Sequence, residues 1–311
     1  MKKATSSQDS TKSTLVGLWG QDWFRARDVI GPNYFVGRAF SPGLAYALVI
    51  GLFIGSGYLD GAIAAGEALF SGADYSGSYT YAGAWRSAAW MVLAVTVWVM
   101  VKHLLLASPA ARPHHVTQRR DTVLAVCLYA LLIFVCFWLM NGLGALLGYD
   151  PSFPYPEHPS GEYITAKVFS AAAAGFTEEV FLLALPVLLL RSARRSWTEI
   201  VVVLALLRIS FHIYYGIAVA GLLPWAVIVV FMFRYTQSVW PLILAHSMTD
   251  LVASALQFGG DIGSLAILWY VVALVGAGWM LGGKVSRERE LSEPLNVAAS
   301  EQRLLPGGDS A

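Results

Sequence analysis

The sequence predicts an all-α, polytopic membrane helix bundle of about eight transmembrane helices with both termini cytoplasmic. Three observations carry this. Only 13% of residues are charged while 57% are hydrophobic, against about a quarter charged in a soluble domain. The mean hydropathy is +0.59, concentrated in runs that approach the ~20 residues needed to cross a bilayer core. Lys and Arg alternate between sparse and frequent in successive connections, as the positive-inside bias requires.

In chain order the apolar runs fall at 43–59, 84–106, 122–147, 168–190, 199–220, 224–237, 240–258 and 264–283. Residues 1–40 form a polar cytoplasmic tail, in which Trp19, Trp23 and Phe24 stand among Arg25, Arg27 and Arg38 as a candidate membrane-surface segment. Lys2 and Lys3 are followed by no apolar stretch before about Leu44, so the first run is expected to be an uncleaved anchor. Asp60, Glu67, Asp74 and Arg86 fall near the outer boundary of the early spans. In the third run, Asn141 is expected to hydrogen-bond between helices. Cys127 and Cys136 lie too far apart along one helix for a disulfide and read as packing residues. Pro186 is placed to kink the fourth run. The sixth run is short, and its boundary with the seventh falls near Trp240-Pro241.

The connections fix the orientation. Lys102, Arg112, Arg119 and Arg120 occupy one, Arg191, Arg194 and Arg195 another, and Arg234 a third. On the opposite side, 60–83 and 259–263 carry no Lys or Arg, and 148–167 carries only Lys167. The chain thus divides into the tail 1–40, N-terminal membrane helices 41–150, a helix bundle 151–283 and a polar tail 284–311 expected to be disordered. A net charge of +1 without a basic stripe gives no sign of a nucleic-acid partner.

Six ionisable residues interrupt the fourth, fifth and seventh runs: Glu178, Glu179, Arg208, His212, His246 and Asp250. Each costs about 2.5–3.5 kcal/mol at a bilayer centre, roughly 15–20 kcal/mol together, unless they meet. Total stabilities are only ~5–15 kcal/mol, so they are expected to converge. Glu178 sits roughly 15–20 Å into its span, and His212 and Asp250 reach similar depths. Arg208 and His212 are spaced i, i+4, as are His246 and Asp250, so each pair shares a helix face. Glu178 and Glu179 point about 100° apart, so one is expected to face the reaction centre and the other to pair with a cation.

This set has the parts for activating water. Glu178 could take a proton from water while an imidazole steadies a developing oxyanion. Alternatively, Glu178, His212 and His246 could hold Zn²⁺ through three N/O ligands, although no HExxH motif is present.

Read together, the motifs resemble the CPBP family of CAAX prenyl-proteases and bacteriocin-processing membrane proteins, also called the Abi family. That family shares EExxxR, FxxxH and HxxxN or HxxxD motifs on separate membrane helices. Here Phe176-Thr-Glu178-Glu179, Arg208-xxx-His212 and His246-xxx-Asp250 follow in that order within about residues 165–255. The resemblance implies an intramembrane endopeptidase acting on a membrane-associated protein or peptide in the lipid bilayer. Within it Glu178 would activate water, His212 and His246 would support water or oxyanion, and Asp250 would match the third motif's polar residue. Family members are described both as glutamic and as metal-dependent proteases. Two positions depart from the pattern: Leu183 stands where the motif has Arg, and Arg208 where it has Phe. Arg208 is expected to supply the missing cation from the fifth run by pairing with Glu179. A catalytically inactive scaffold and a proton-coupled transporter are the alternative readings of the same cluster. A bacterial inner membrane is the expected location.

Overall fold

In the computed structural model the described residues are 40–71, 79–105, 119–148, 159–236, 238–257 and 268–279. All their regular structure is helical. The two tails, the Trp19–Arg38 segment, Asp74 and most of the basic connection after Lys102 lie outside them.

Helix α1 (Pro42–Gly55) starts where Ser41 caps Leu44 N and Pro42 occupies the first turn. At Gly57, with φ +84, the chain turns by 65° into α2 (Tyr58–Ser71). Two long helices follow, α3 (Tyr81–Leu105) and α4 (Arg119–Leu146). Ser160 caps α5 (Gly161–Thr177), which continues through a π-helical stretch, Glu178–Ala184, into α6 (Leu185–Ser192). Ser196 and Glu199 form the capping-box pattern that opens α7 (Trp197–Ser210). A 3₁₀ stretch, Ile213–Leu222, leads into α8 (Leu223–Thr236), and α9 (Trp240–Gln257) and α10 (Leu268–Trp279) complete the bundle.

Four of these helical segments are long and apolar enough to cross a bilayer, or five if the bent pair α1–α2 makes one span. The chain is an integral membrane protein. The expectation of eight spans counted apolar runs, and run 199–220 is not a single helix. Its chain leaves the α-helix after Ser210, and Ile213–Leu222 runs with α8 into one candidate span, Ile213–Thr236, that is kinked near its start. Gly216, at φ 60 and ψ −150, breaks the helical winding inside it.

Pro186 follows directly on a change of winding. Gly161–Ser192 runs through as one 32-residue segment. The π-helical turn lies just before the proline, and Leu185 N reaches back five residues to Val180 O. A widened turn accommodates the missing proline N–H and its ring. Both glutamates stand at the start of that turn.

The helix carrying them is the centre of the bundle: 83% of its apolar window is buried, against 17% for Tyr81–Val101. Apolar side chains such as Trp85, Trp138, Leu206 and Ile217 face outward, as a lipid-contacting surface requires. α5 packs tightly on α9 because Gly175 has no side chain. A Cβ there would lie 2.7 Å from the Ile243 carbonyl oxygen and the Ser247 nitrogen. Ser247 Oγ then donates to Ala172 O at 2.7 Å, locking the register that sets His246 beside the glutamates.

Candidate active site

Glu179 is fully buried and saturated. Its Oε1 accepts from Tyr129 OH at 2.9 Å, Arg208 Nη1 at 2.9 Å and His246 Nδ1 at 2.7 Å. Its Oε2 accepts from Arg208 Nη2 at 3.2 Å. The guanidinium therefore engages both carboxylate oxygens, the strong two-pronged form of the pair. It also lies 4.6 Å from the Trp225 ring centroid and reaches Glu178 O at 3.4 Å. The cation that the first motif lacks at Leu183 thus reaches Glu179 from α7.

Glu178 is the opposite case. It is buried, yet its Oε2 has no hydrogen-bond partner. His246 Nε2 lies 3.9 Å away, beyond a direct hydrogen bond and within reach of one shared water. Asp250 Oδ2 is 3.5 Å from the same nitrogen. The Asp250 side chain is 30% exposed, while those of His246 and Glu178 are 5% and 10% exposed. The site therefore opens on the Asp250 side and closes behind Glu179.

Of the two glutamates, Glu179 is the one that pairs with a cation, Arg208. Both flank a single imidazole, Glu179 at Nδ1 and Glu178 on the Nε2 side. The 100° spacing belongs to a regular α-helix, whereas these residues open a wider, π-helical turn.

His212 stands apart from this group. Its Nδ1 lies 2.8 Å from Arg208 O, and a carbonyl only accepts, so Nδ1 carries a proton and in the neutral ring Nε2 holds the lone pair. Its ring is 6.0 Å from Trp225, which is in turn 5.7 Å from His246. Trp225 thus links the two imidazoles in space.

The zinc alternative needs Glu178, His212 and His246 on one ion. Among the described residues no three His, Cys, Asp or Glu side chains form a group able to hold a metal. Each Nδ1 is hydrogen-bonded, His246 to Glu179 and His212 to a carbonyl, which leaves each Nε2 available. The Trp225 ring, however, lies 6.0 Å from the His212 imidazole and 5.7 Å from that of His246, and the three side chains do not gather around one point. The donor set does not fit zinc, and no step is routed through one.

Tyr129, Trp225 and Tyr58 are site residues that the sequence reading passed over. Tyr129 lies in the third apolar run with its hydroxyl on Glu179. Tyr58 OH donates to Thr177 Oγ1 at 2.8 Å, one residue before Glu178, and its ring tilts against Phe211 at 4.8 Å. Hydroxyls deep in an apolar run were the available signal, since a buried one needs a partner.

Residues 161–252, under a third of the chain, match a family described as "Rce1-like: Type II CAAX prenyl endopeptidase Rce1-like". The match falls within the CPBP/CAAX protease family and spans all six ionisable residues named above. No curated protein and no solved structure matches the chain.

Proposed function

With residues 161–252 carrying the signature of type II CAAX prenyl endopeptidases, we propose that the chain is an intramembrane endopeptidase whose water is activated by Glu178. The carrying observation is the contrast between neighbours: Glu179 is saturated by four hydrogen bonds, while the buried Glu178 Oε2 has none and faces His246 Nε2.

In this reading water sits between Glu178 Oε2 and His246 Nε2. Its oxygen adds to the scissile carbonyl carbon as its proton passes to Glu178. The resulting oxyanion accepts from protonated His246 Nε2, held in line because Nδ1 is anchored on Glu179. Collapse breaks the C–N bond, and the Glu178 carboxyl returns the proton to the leaving amine. Asp250 orients the imidazole from the open side. His212, with Nε2 as an acceptor, supports water one shell away rather than donating to the oxyanion. The substrate is a membrane-associated protein or peptide, with prenylated CAAX proteins, leader peptides and membrane-spanning sorting tails as the classes to screen. The bundle 151–283 forms the catalytic unit in a bacterial inner membrane.

The test compares wild type with Glu178→Gln at equal membrane abundance in a deletion background, reading new peptide termini across the proteome. Gln keeps the side chain's shape and removes the base. Termini made only by wild type establish proteolysis and name the substrate. Identical termini from both folded proteins move the assignment to a scaffold or carrier.

A further inference from the structure

Far from the acid–histidine site, the turn between α6 and α7 meets the end of α8 in a second concentration of charge. Residues 191–199 and 234–236 carry Arg191, Arg194, Arg195 and Arg234 against one carboxylate, Glu199. Arg191 and Arg234 both lie over the Trp197 ring, at 5.0 and 4.7 Å from its centroid. Arg191 Nη1 donates to Arg195 O at 2.9 Å, which ties the turn to the helix before it. Arg195 pairs with Glu199 at 2.6 Å, and Tyr46 OH donates to the same carboxylate oxygen. Four cations and one anion leave these two segments with an excess of three positive charges.

The turn itself is unusual. Arg194 N bonds Arg191 O and Arg195 N bonds Leu190 O, both at 2.9 Å, the closure that normally places glycine at the left-handed position. Here that position is Arg194, at φ 58 the one non-glycine residue with positive φ among the described residues. Its side chain is exposed. Chain stability alone favours glycine there, and retained backbone strain marks positions held for another purpose.

The depth is also informative. Two candidate spans, Gly161–Ser192 and Ile213–Thr236, both end at this level, where lipid headgroups begin. Tryptophan is at home at that interface, and a guanidinium fork matches two phosphate oxygens. We propose that Arg194 and Arg195, on the turn that precedes Trp197, together with Arg234 over its ring, bind the phosphodiester headgroup of an anionic phospholipid.

The experiment uses the purified full-length chain and native mass spectrometry with phosphatidylglycerol, phosphatidylcholine or inorganic phosphate added. Wild type is expected to retain phosphatidylglycerol at least about tenfold more tightly than phosphatidylcholine, a difference of about 1.4 kcal/mol. Arg234→Gln and Arg194→Gly are each expected to reduce that preference severalfold. Arg194→Gly guards against misfolding, because glycine suits the left-handed turn and should raise Tm in the absence of lipid. Equal retention of the two lipids by wild type would overturn the assignment. So would phosphatidylglycerol binding unchanged in both variants. Binding of inorganic phosphate that displaces phosphatidylglycerol at equal concentration would also overturn it, in favour of a soluble phosphate ligand.

Discussion

Arg208→Met isolates the buried pair that Arg208 makes with Glu179. Arg208 and Glu179 are 1% and 0% exposed, joined by bonds of 2.9 and 3.2 Å. Methionine fills much of the same space but leaves Glu179 with only Tyr129 and His246 as donors. Removing one partner of a buried pair costs about 3–5 kcal/mol. At ~2–4 °C of Tm per kcal/mol this is a fall of roughly 10 °C, within a range of about 6–20 °C. Cys127 and Cys136 are free and buried, so a thiol-reactive fluorophore reports unfolding in detergent without any engineered cysteine. The double variant Arg208→Met/Glu179→Leu removes both charges and should regain part of the loss. Recovery stays partial, because Tyr129 OH and His246 Nδ1 then lose their acceptor at about 1–3 kcal/mol each. The reasoning fails if Arg208→Met melts within ~2 °C of wild type. It fails equally if the two single losses simply add in the double variant.

Three further outcomes are expected. Tyr129→Phe keeps the buried ring and removes one donor to a charged acceptor, for a loss of about 1.5–3 kcal/mol in the same melting assay. Cleavage should slow as His246 loosens, whereas unaltered turnover would make Tyr129 a packing residue only. Gly175→Ala forces α5 and α9 apart against backbone atoms at 2.7 Å and should cost about 1–3 kcal/mol together with most of the activity. Gly142→Ala, where a Cβ meets open space, is the control expected to melt like wild type. Finally, 1,10-phenanthroline should leave peptide cleavage unchanged, because Glu178, His212 and His246 do not form a ligand set. Inhibition reversed by added Zn²⁺ would overturn the glutamate mechanism.

The membrane character and the six ionisable residues were legible because bilayers penalise charge so heavily that each survivor needs a partner. The pairing of Arg208 with Glu179 followed from the same logic, once the motif cation was replaced by Leu183. What escaped was local winding. Nothing in a run of Glu, Val, Phe and Leu announces a π-helical turn, so both glutamates could not be placed around one imidazole. The end of run 199–220 escaped for a related reason: Ser210, Phe211 and His212 are compatible with a helix, and tertiary packing converts the continuation to a 3₁₀ stretch. Tyr129 and Trp225 were hidden in plain composition. Aromatics are common in membrane helices, and only their polar atoms distinguish site residues from packing ones.

The saturation of Glu179 has a consequence for biogenesis. Its donors come from separate helices, Tyr129 fifty residues upstream, Arg208 twenty-nine downstream and His246 sixty-seven downstream. A ribosome therefore delivers the double-acid helix to the insertion machinery before its cation exists. That helix must wait at the translocon, or beside α4, until α7 emerges, and its last partner arrives only with α9. A nascent chain arrested between residues 192 and 208 would present two unneutralised acids to lipid, making it a substrate for membrane quality control rather than a stable half-protein.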